Sequence, residues 1–458
     1  MPQTILAIDI GSTKVSSVIA KKNGEELIVT GTGISKASGL KKGVITNIDL
    51  AAKSIKEAYT NANRVDGTSP KKAIVSISGA YIKSTNSNGI VNIPNKEISL
   101  EEIHRVMQTA LYNANIPNEY EVIHVLPYRF KVDDQDFIED PLGMNASRLE
   151  AHVHIITAQK SSVYNLKKAV RQAGIEIQNI VLNGYASAIS TLNHDEKELG
   201  ACIIDMGGST CNLAIHLGNS IVYNDYLGVG SMHITNDLSM ALHTPLATAE
   251  EIKLFYGDLR EPKNDYIEIP IIGDEQTTHQ VSLEIVYNVI YARVEETLMI
   301  LAKSLEKSGL KEQIGAGIIL TGGMTKLLGI RELASAIFDN MPVRIAKPKH
   351  LDGLQQELDD PSYSTAVGLV LYGAGAFTPY EIDSNKKMRS KNEEYYADND
   401  DTLDTQGANE TDSKESLPPK RLEEKADIFD DLALNLNEDK TCLEKKVSRF
   451  TRWITQLF

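Results

Sequence analysis

The chain has 458 residues, 42% of them hydrophobic and 24% charged, with 31 Gly and 15 Pro. This composition belongs to a globular protein with material for two or more packed cores, and it excludes a collagen, a mini-protein and a wholly disordered chain. Lys plus Arg number 47 against 62 Asp plus Glu, a net charge of -15, and the first 385 residues carry no basic patch that outweighs this, so nucleic acid is not an expected partner.

In chain order, Ile5-Leu6-Ala7-Ile8-Asp9-Ile10 reads as a buried strand that breaks into Gly11-Ser12-Thr13-Lys14 and resumes as Val15 to Ala20. A strand-like run follows at Ala73 to Ser78. Ser99-x-x-Glu102 is a capping box opening a helix whose Ile103, Val106, Met107, Ala110 and Leu111 share one face. His152 to Thr157 is again strand-like. The opening pattern then repeats: Ala201-Cys202-Ile203-Ile204-Asp205-Met206, a Gly207-Gly208-Ser209-Thr210 turn, and a second strand from Cys211 to Leu217. One unit written twice predicts two similar α/β halves facing each other. A long helix over about Leu283 to Lys307, with Gly309 as its stop, precedes a third Gly-rich turn at Gly322-Gly323-Met324.

Composition changes near residue 386. Lys386 to Thr441 holds 16 acidic against 9 basic residues with no sustained period, which reads as a disordered acidic linker reaching roughly 40 Å as a coil. Periodicity returns at 442–458. Leu443, Val447, Phe450, Trp453, Ile454 and Leu457 recur at steps of three and four, with Phe458 beside them, while Lys445, Lys446, Arg449 and Arg452 lie off the stripe. About 16 residues are expected to make a helix about 24 Å long that lies flat on a membrane with its cations toward anionic headgroups, the alternative being a helix docked on the globular part. No run of about 18 apolar residues is present to span a bilayer. Three cysteines, Cys202, Cys211 and Cys442, form neither a disulfide framework nor a CxxC motif, and the N-terminus lacks a signal-peptide apolar stretch, so the cytoplasm is the expected compartment.

The expected chemistry resides in the Gly-rich turns. A Gly-Ser/Gly-Thr turn after a buried strand presents backbone N–H groups and hydroxyls to phosphate oxygens, and Asp9 and Asp205 at the strand ends can hold the waters of a Mg²⁺ that neutralises them. The chain has neither GxxxxGK[ST] nor GxGxxG, which disfavours the P-loop and Rossmann folds. His104, His124, His152 and His154 form no defensible metal constellation, and the His152-x-His154 pair reads as structural.

On these motifs the sequence resembles the actin/sugar-kinase/heat-shock-chaperone ATPase superfamily, and within it the FtsA family of bacterial cell-division proteins. The segment carrying that likeness runs from His124-Val125-Leu126-Pro127-Tyr128 through Asp140-Pro141-Leu142-Gly143-Met144 and Arg148-Leu149-Glu150 to His152-x-His154-Ile155-Ile156-Thr157. Asn86-Ser87-x-Gly89, and Gly228-x-Gly230-Ser231 with the following His233-Ile234-Thr235-x-Asp237, add to it. The resemblance implies an actin-like duplicated ATPase fold with an inserted 1C subdomain. Subdomain 1A covers 1–82, 158–195 and 346–385; 1C covers 83–157; 2A covers 196–235 and 301–345; 2B covers 236–300. The linker is 386–441 and the membrane-targeting helix 442–458.

The resemblance also implies ATP with Mg²⁺ on Asp9, Gly11, Ser12, Thr13, Lys14, Asp205, Gly207, Gly208, Ser209, Thr210 and Gly230. Glu250 and Lys253 of Ala249-Glu250-Glu251-Ile252-Lys253 would meet the ribose and adenine, and Gly322, Gly323 and Met324 the adenosine. Related ATPases orient the attacking water with a Glu or Gln; here Asn183-Gly184-Tyr185-Ala186-Ser187-Ala188 offers Asn183, so slow or no hydrolysis is expected. Arg293 would receive the C-terminal tail of FtsZ. The implied role is a peripheral protein at the cytoplasmic face of the inner membrane at the division site. There it assembles into a filament through 1C, anchors FtsZ polymers and meets other division proteins. A PilM-like pilus scaffold shares this fold without the tail helix, and a sugar or acid kinase shares the cleft but needs an acceptor-side carboxylate.

Overall fold

The computed structural model describes residues 3–353 and 358–391. Two sheets form its frame. In the first, the strands run Glu176–Leu182, Lys72–Ile77, Gln3–Ile10, Lys14–Asn23, Glu26–Lys36 and Asp352–Gly353. In the second they run Ser220–Leu227, Cys211–Leu217, Ala201–Met206, Ile318–Thr321 and Val343–Ile345. The repeated unit takes the same register in both: each leading strand pairs antiparallel with the one after its turn, Asp9 opposite Ser16 and Asp205 opposite Asn212. Each also pairs in parallel with a strand from later in the chain, Lys72–Ile77 or Ile318–Thr321. The central strands are continuous apolar runs because both faces are covered; Ile5, Leu6, Ile8, Ile203 and Ile319 belong to one continuous core.

Two helices between the sheets, Asn183–Thr191 and Ser364–Gly373, are short and almost wholly buried. They cross where Gly368 leaves no room for a side chain: a Cβ there would stand 1.9 Å from the Ala186 carbonyl oxygen. That close crossing brings the Ser187 and Thr365 hydroxyls within 3.0 Å of each other.

A third sheet carries the insertion: Tyr120–Val132, Arg148–Gln159 and Ile82–Asn92 in sequence across it, with Gln135–Ile138 added to the first. Helix Leu100–Asn113 packs on it through Ile103, Val106, Met107 and Ala110, and the Ser99/Glu102 capping box is formed. The helix lies directly on Gly89, whose Cβ would meet the Val106 carbonyl oxygen at 2.3 Å. The long helix Leu283–Ser308 ends at Gly309 in the left-handed region, φ 68°, as its sequence predicts.

The chain's return corrects the expected boundary. Instead of closing subdomain 1A and entering the linker at 386, Tyr380–Ile382 and Met388–Ser390 form a hairpin that extends the insertion's sheet, with Ile382 pairing Val125. Tyr380 and Ile382 are fully buried in that subdomain's core, so apolar burial, invisible in a three-residue strand, overrides the charged composition around it. The remainder of the expected linker and the helix at 442–458 lie outside the described residues. Among the described residues no helix is long and apolar enough to cross a membrane.

The histidines are structural. His124 Nδ1 lies 2.6 Å from the Glu381 carboxylate, and its Nε2 accepts the Leu182 N–H at 3.1 Å. The Tyr372 hydroxyl donates to Glu381 at 2.9 Å. His154 lies between Asn86 and Asn224, at 2.6 and 2.8 Å, joining the insertion to the second sheet; burial lowers its pKa to about 4. His152 Nε2 stands 3.2 Å from Glu150, and His104 pairs with Gln108.

His124 and Glu381 have no exposed side-chain surface, so losing His124 takes one of two partners from the buried Glu381 and the acceptor from the Leu182 N–H. His124→Leu should lower unfolding free energy by about 3–5 kcal/mol in urea titration. His124→Leu with Glu381→Leu should recover more than half of that, because the under-partnered buried carboxylate is gone.

Candidate functional site

The two repeated turns meet at the floor of one cavity of about 580 Å³. The turns touch: a Cβ on Gly208 would fall 2.2 Å from Thr13 Cγ2. Glycine at 208 is therefore required by the opposite turn as well as by the space over the cavity.

Asp9 and Asp205 enter this cavity from the ends of their strands, 7% and 8% exposed. Asp9 accepts the Ser76 hydroxyl at 2.8 Å, and Ser76 Oγ accepts the Ile10 N–H at 2.8 Å. Burial, offset in part by Ser76 and reinforced by the charge of Asp205, pushes Asp9 up to about 6. Asp205 accepts from Ser187 at 2.6 Å and Thr365 at 2.9 Å, the hydroxyls positioned by the helix crossing, and burial raises its pKa too. Two desolvated carboxylates and the hydroxyls of Ser12, Thr13 and Thr210 line the same space. This hard-oxygen set fits a Mg²⁺ held through water. No cluster of three or more His, Cys, Asp or Glu able to hold an ion directly occurs among the described residues.

Lys14 donates to Ser362 at 2.8 Å and its ammonium stands 3.4 Å from the Tyr363 ring centre. Burial lowers it to about 8. Across the cavity, Lys253 is buried and reaches Glu250 at 2.7 Å and Thr235 at 3.0 Å. Gly322 sits at φ +91° with room for no side chain beside Asp205 Oδ1, at 2.4 Å. Gly323 meets only Ser362 Cβ at 3.5 Å, ordinary contact, so its surface is free to face a ligand.

Of the expected residues, those of the first turn, Asp205, Gly207, Gly208, Thr210, Glu250, Lys253 and Gly322 to Met324 line the cavity. Ser209 and Gly230 are not in its lining. Gly230 supports the second turn from behind: its Cβ would stand 2.6 Å from the Gly207 carbonyl oxygen, and the next two N–H groups, Ser231 and Met232, bond Gly207 and Gly208. Asn183 lines the cavity with its Oδ1 buried and without a partner. Ser76, Thr365, Ser362 and Lys326 were not foreseen. Ser76 lies one residue before the end of the buried strand Lys72–Ile77, a position legible in principle; the other three depend on the fold.

Arg293 lies elsewhere, on the long helix. It binds Asp237 through two nitrogens, at 2.5 and 3.0 Å, and Glu296 at 2.5 Å. This guanidinium ties the long helix to helix Ser231–Ala241.

Two family models match, "SHS2 domain inserted in FTSA" over residues 79–157 and "Cell division protein FtsA" over residues 202–368. The cell division protein FtsA of Helicobacter pylori is 38% identical, the match covering 92% of this chain and 90% of that protein. FtsA of Pseudomonas aeruginosa is 38% identical over 81% and 89%, and that of Escherichia coli 29% over 84% and 93%. Among solved structures, the PilM-PilN type IV pilus biogenesis complex superposes with TM-score 0.58 at 18% identity, over 81% of this chain and 98% of that one. MreB5 of Spiroplasma citri bound to ADP gives 0.51 at 15%, over 81% and 97%. The fold is thus actin-like, with the third sheet as its insertion.

The raised Asp9 carries a stability consequence. Its pKa rises from 3.8 in the unfolded chain to about 6 in the fold, so the fold prefers the protonated acid, and ionisation removes stability as pH climbs through that interval. Asp9→Asn, which keeps an acceptor for Ser76, should make the ligand-free protein more stable by about 2–3 kcal/mol at pH 7.5. The gain should vanish below about pH 4, as thermal denaturation across pH will show.

Proposed function

The chain belongs to the FtsA family of cell-division proteins, and from that premise we propose that it binds MgATP in the cleft, assembles on the cytoplasmic face of the membrane, and anchors FtsZ polymers there. The observation that carries the nucleotide reading is the pair of glycine turns meeting at one cavity floor, each with a buried Asp beside it. The turn N–H groups and hydroxyls face the phosphates, and Asp9 and Asp205 hold the waters of Mg²⁺, which supplies charge neutralisation when bound. Lys253, kept straight by Glu250 and Thr235, and Gly323 and Met324 border the space for ribose and base.

Asn183 suits retention over turnover. Its Oδ1 is buried away from any water in the cleft, and a carboxamide accepts no proton at neutral pH. The acceptor-side carboxylate of a sugar kinase has no counterpart in the lining, whose acids are Asp9, Asp205 and the paired Glu250.

The membrane and FtsZ roles rest on family membership and on the apolar stripe and cations of 442–458. With Arg293 engaged internally, it acts by fixing the shape of the surface that receives the FtsZ tail, and self-assembly runs through the insertion. Many assembled copies present many tails, so weak single anchors add through avidity.

MgATP should raise the melting temperature of the wild type but not of Asp205→Ala, and bound ATP should survive gel filtration with turnover well below about one per second. Equal MgATP shifts in both proteins would reject the site. For the membrane, Trp453→Glu puts an anion in the stripe and should abolish co-sedimentation with anionic liposomes, and with it FtsZ recruitment to them, while the MgATP shift persists. Unchanged sedimentation would reject the anchor.

A further inference from the structure

Helix Lys160–Gln172 buries Val163, Leu166, Ala169 and Val170 and turns the opposite arc to solvent. That arc holds Lys160, Lys167, Lys168 and Arg171, all exposed, around Tyr164, which is 63% exposed. The helix contains no acid. In a chain of net charge -15 this is a local reversal, and it corrects the expectation of no basic patch before residue 385. Along the sequence the cations are interrupted by the apolar residues, and only the helical period of 3.6 gathers them on one side.

The neighbouring groups leave that charge uncompensated. Glu121 takes Lys167 at 2.7 Å, while Lys160, Lys168 and Arg171 form no ion pair among the described residues. Glu119, whose carbonyl accepts the Lys160 N–H, directs its charge at Lys83, and Glu176 stands in register with Lys72. Helix Ile48–Asp66, packed beside it on the same core, exposes Lys53, Lys56 and Arg64 against Asp49 and Glu57. The exposed residues of the two helices thus number seven cations against two acids.

Helix stability does not explain the placement. Lys160 is the first residue of its helix, where a cation opposes the macrodipole, and Gln159 before it caps no N–H with its side chain. The sequence gives up stability at this end and keeps the charge, as surfaces that serve a partner do.

We propose that this helical layer is a second membrane contact, lying on anionic lipid with Lys160, Lys168 and Arg171 toward the headgroups and Tyr164 at their level. The proposal rests on the membrane reading above for the identity of the surface, and not on the tail which that reading uses. Screening over about 8 Å at physiological salt lets a bilayer meet this layer without the acids elsewhere on the protein. A convex arc offers no groove to a peptide, whereas a flat bilayer needs none, and a tyrosine ring with its hydroxyl suits the boundary between lipid and water. The contact is weak by itself and adds to the tail.

The test follows the full chain onto vesicles of phosphatidylcholine alone and of phosphatidylcholine with phosphatidylserine. Lys160→Gln with Lys168→Gln and Arg171→Gln should weaken partitioning into the anionic vesicles about a hundredfold, about fivefold for each cation. It should leave the neutral vesicles and the melting temperature unaffected, and rising salt should erase its difference from the wild type. In a Trp453→Phe background, which keeps the apolar stripe, Tyr164→Trp should shift its emission to the blue on anionic vesicles. Trp453→Glu tests the tail separately. Loss of binding there with none in the triple variant upholds the tail and overturns this proposal; the opposite pattern upholds this face and overturns the tail; loss in both upholds both. A wild type that binds no vesicle at low salt overturns both, and an unshifted emission from Tyr164→Trp overturns this face. A triple variant that keeps its vesicles yet is no longer retained on immobilised polyglutamate assigns the face to an acidic protein and overturns the lipid contact. Should the triple variant fail to fold, Lys168→Gln alone, with about fivefold weakening, decides.

Discussion

Two desolvated carboxylates facing one cavity set the terms for the polar architecture around them. Asp9 and Asp205 emerge from strands buried on both faces, where an unpartnered charge is costly, and each is met by hydroxyls: Ser76 for one, Ser187 and Thr365 for the other. Hydroxyls stabilise a carboxylate without cancelling its charge. A salt bridge in their place would remove the negative potential that a cation needs. Lys14 offsets only part of it, from a position held by Ser362 and the Tyr363 ring.

Geometry around the pair is enforced by missing side chains. Gly368 allows the two central helices to cross at contact distance, which delivers Ser187 and Thr365. Gly208 lets the turns touch, Gly230 lets the following helix support the second turn, and Gly322 passes beside Asp205. Ser78 bonds Asn212 across the halves at 2.6 Å. The glycine contacts set backbone directly against a neighbour, so the site is built by the same packing that joins the halves.

The insertion is wired to this frame through the chain's own return. The hairpin at 380–390 completes the insertion's sheet, and Glu381 within it reaches His124, which caps the Leu182 N–H immediately before Asn183. A continuous buried path therefore runs from the end of the described chain, through the insertion, to helix Asn183–Thr191 beside the cleft. Sites that share such supports can be coupled, since a bistable unit couples sites only through contacts both can bias.

Much was legible in the residues alone. The repeat of apolar strand, Asp and Gly-rich turn predicted two equivalent halves, because a fully buried strand must be a continuous apolar run and a repeated unit folds the same way twice. The capping box at Ser99 and the stop at Gly309 were legible because caps are local hydrogen-bond and dihedral requirements. The hairpin at 380–390 was not, since a three-residue strand has no period and its stability comes from a core assembled elsewhere. Nor could the sequence say that Arg293 faces Asp237, that Gly230 supports the site from behind, or that His216 Nδ1 is buried with no partner. Those facts depend on which side chains meet across long separations, and only tertiary packing chooses the partners of a charge.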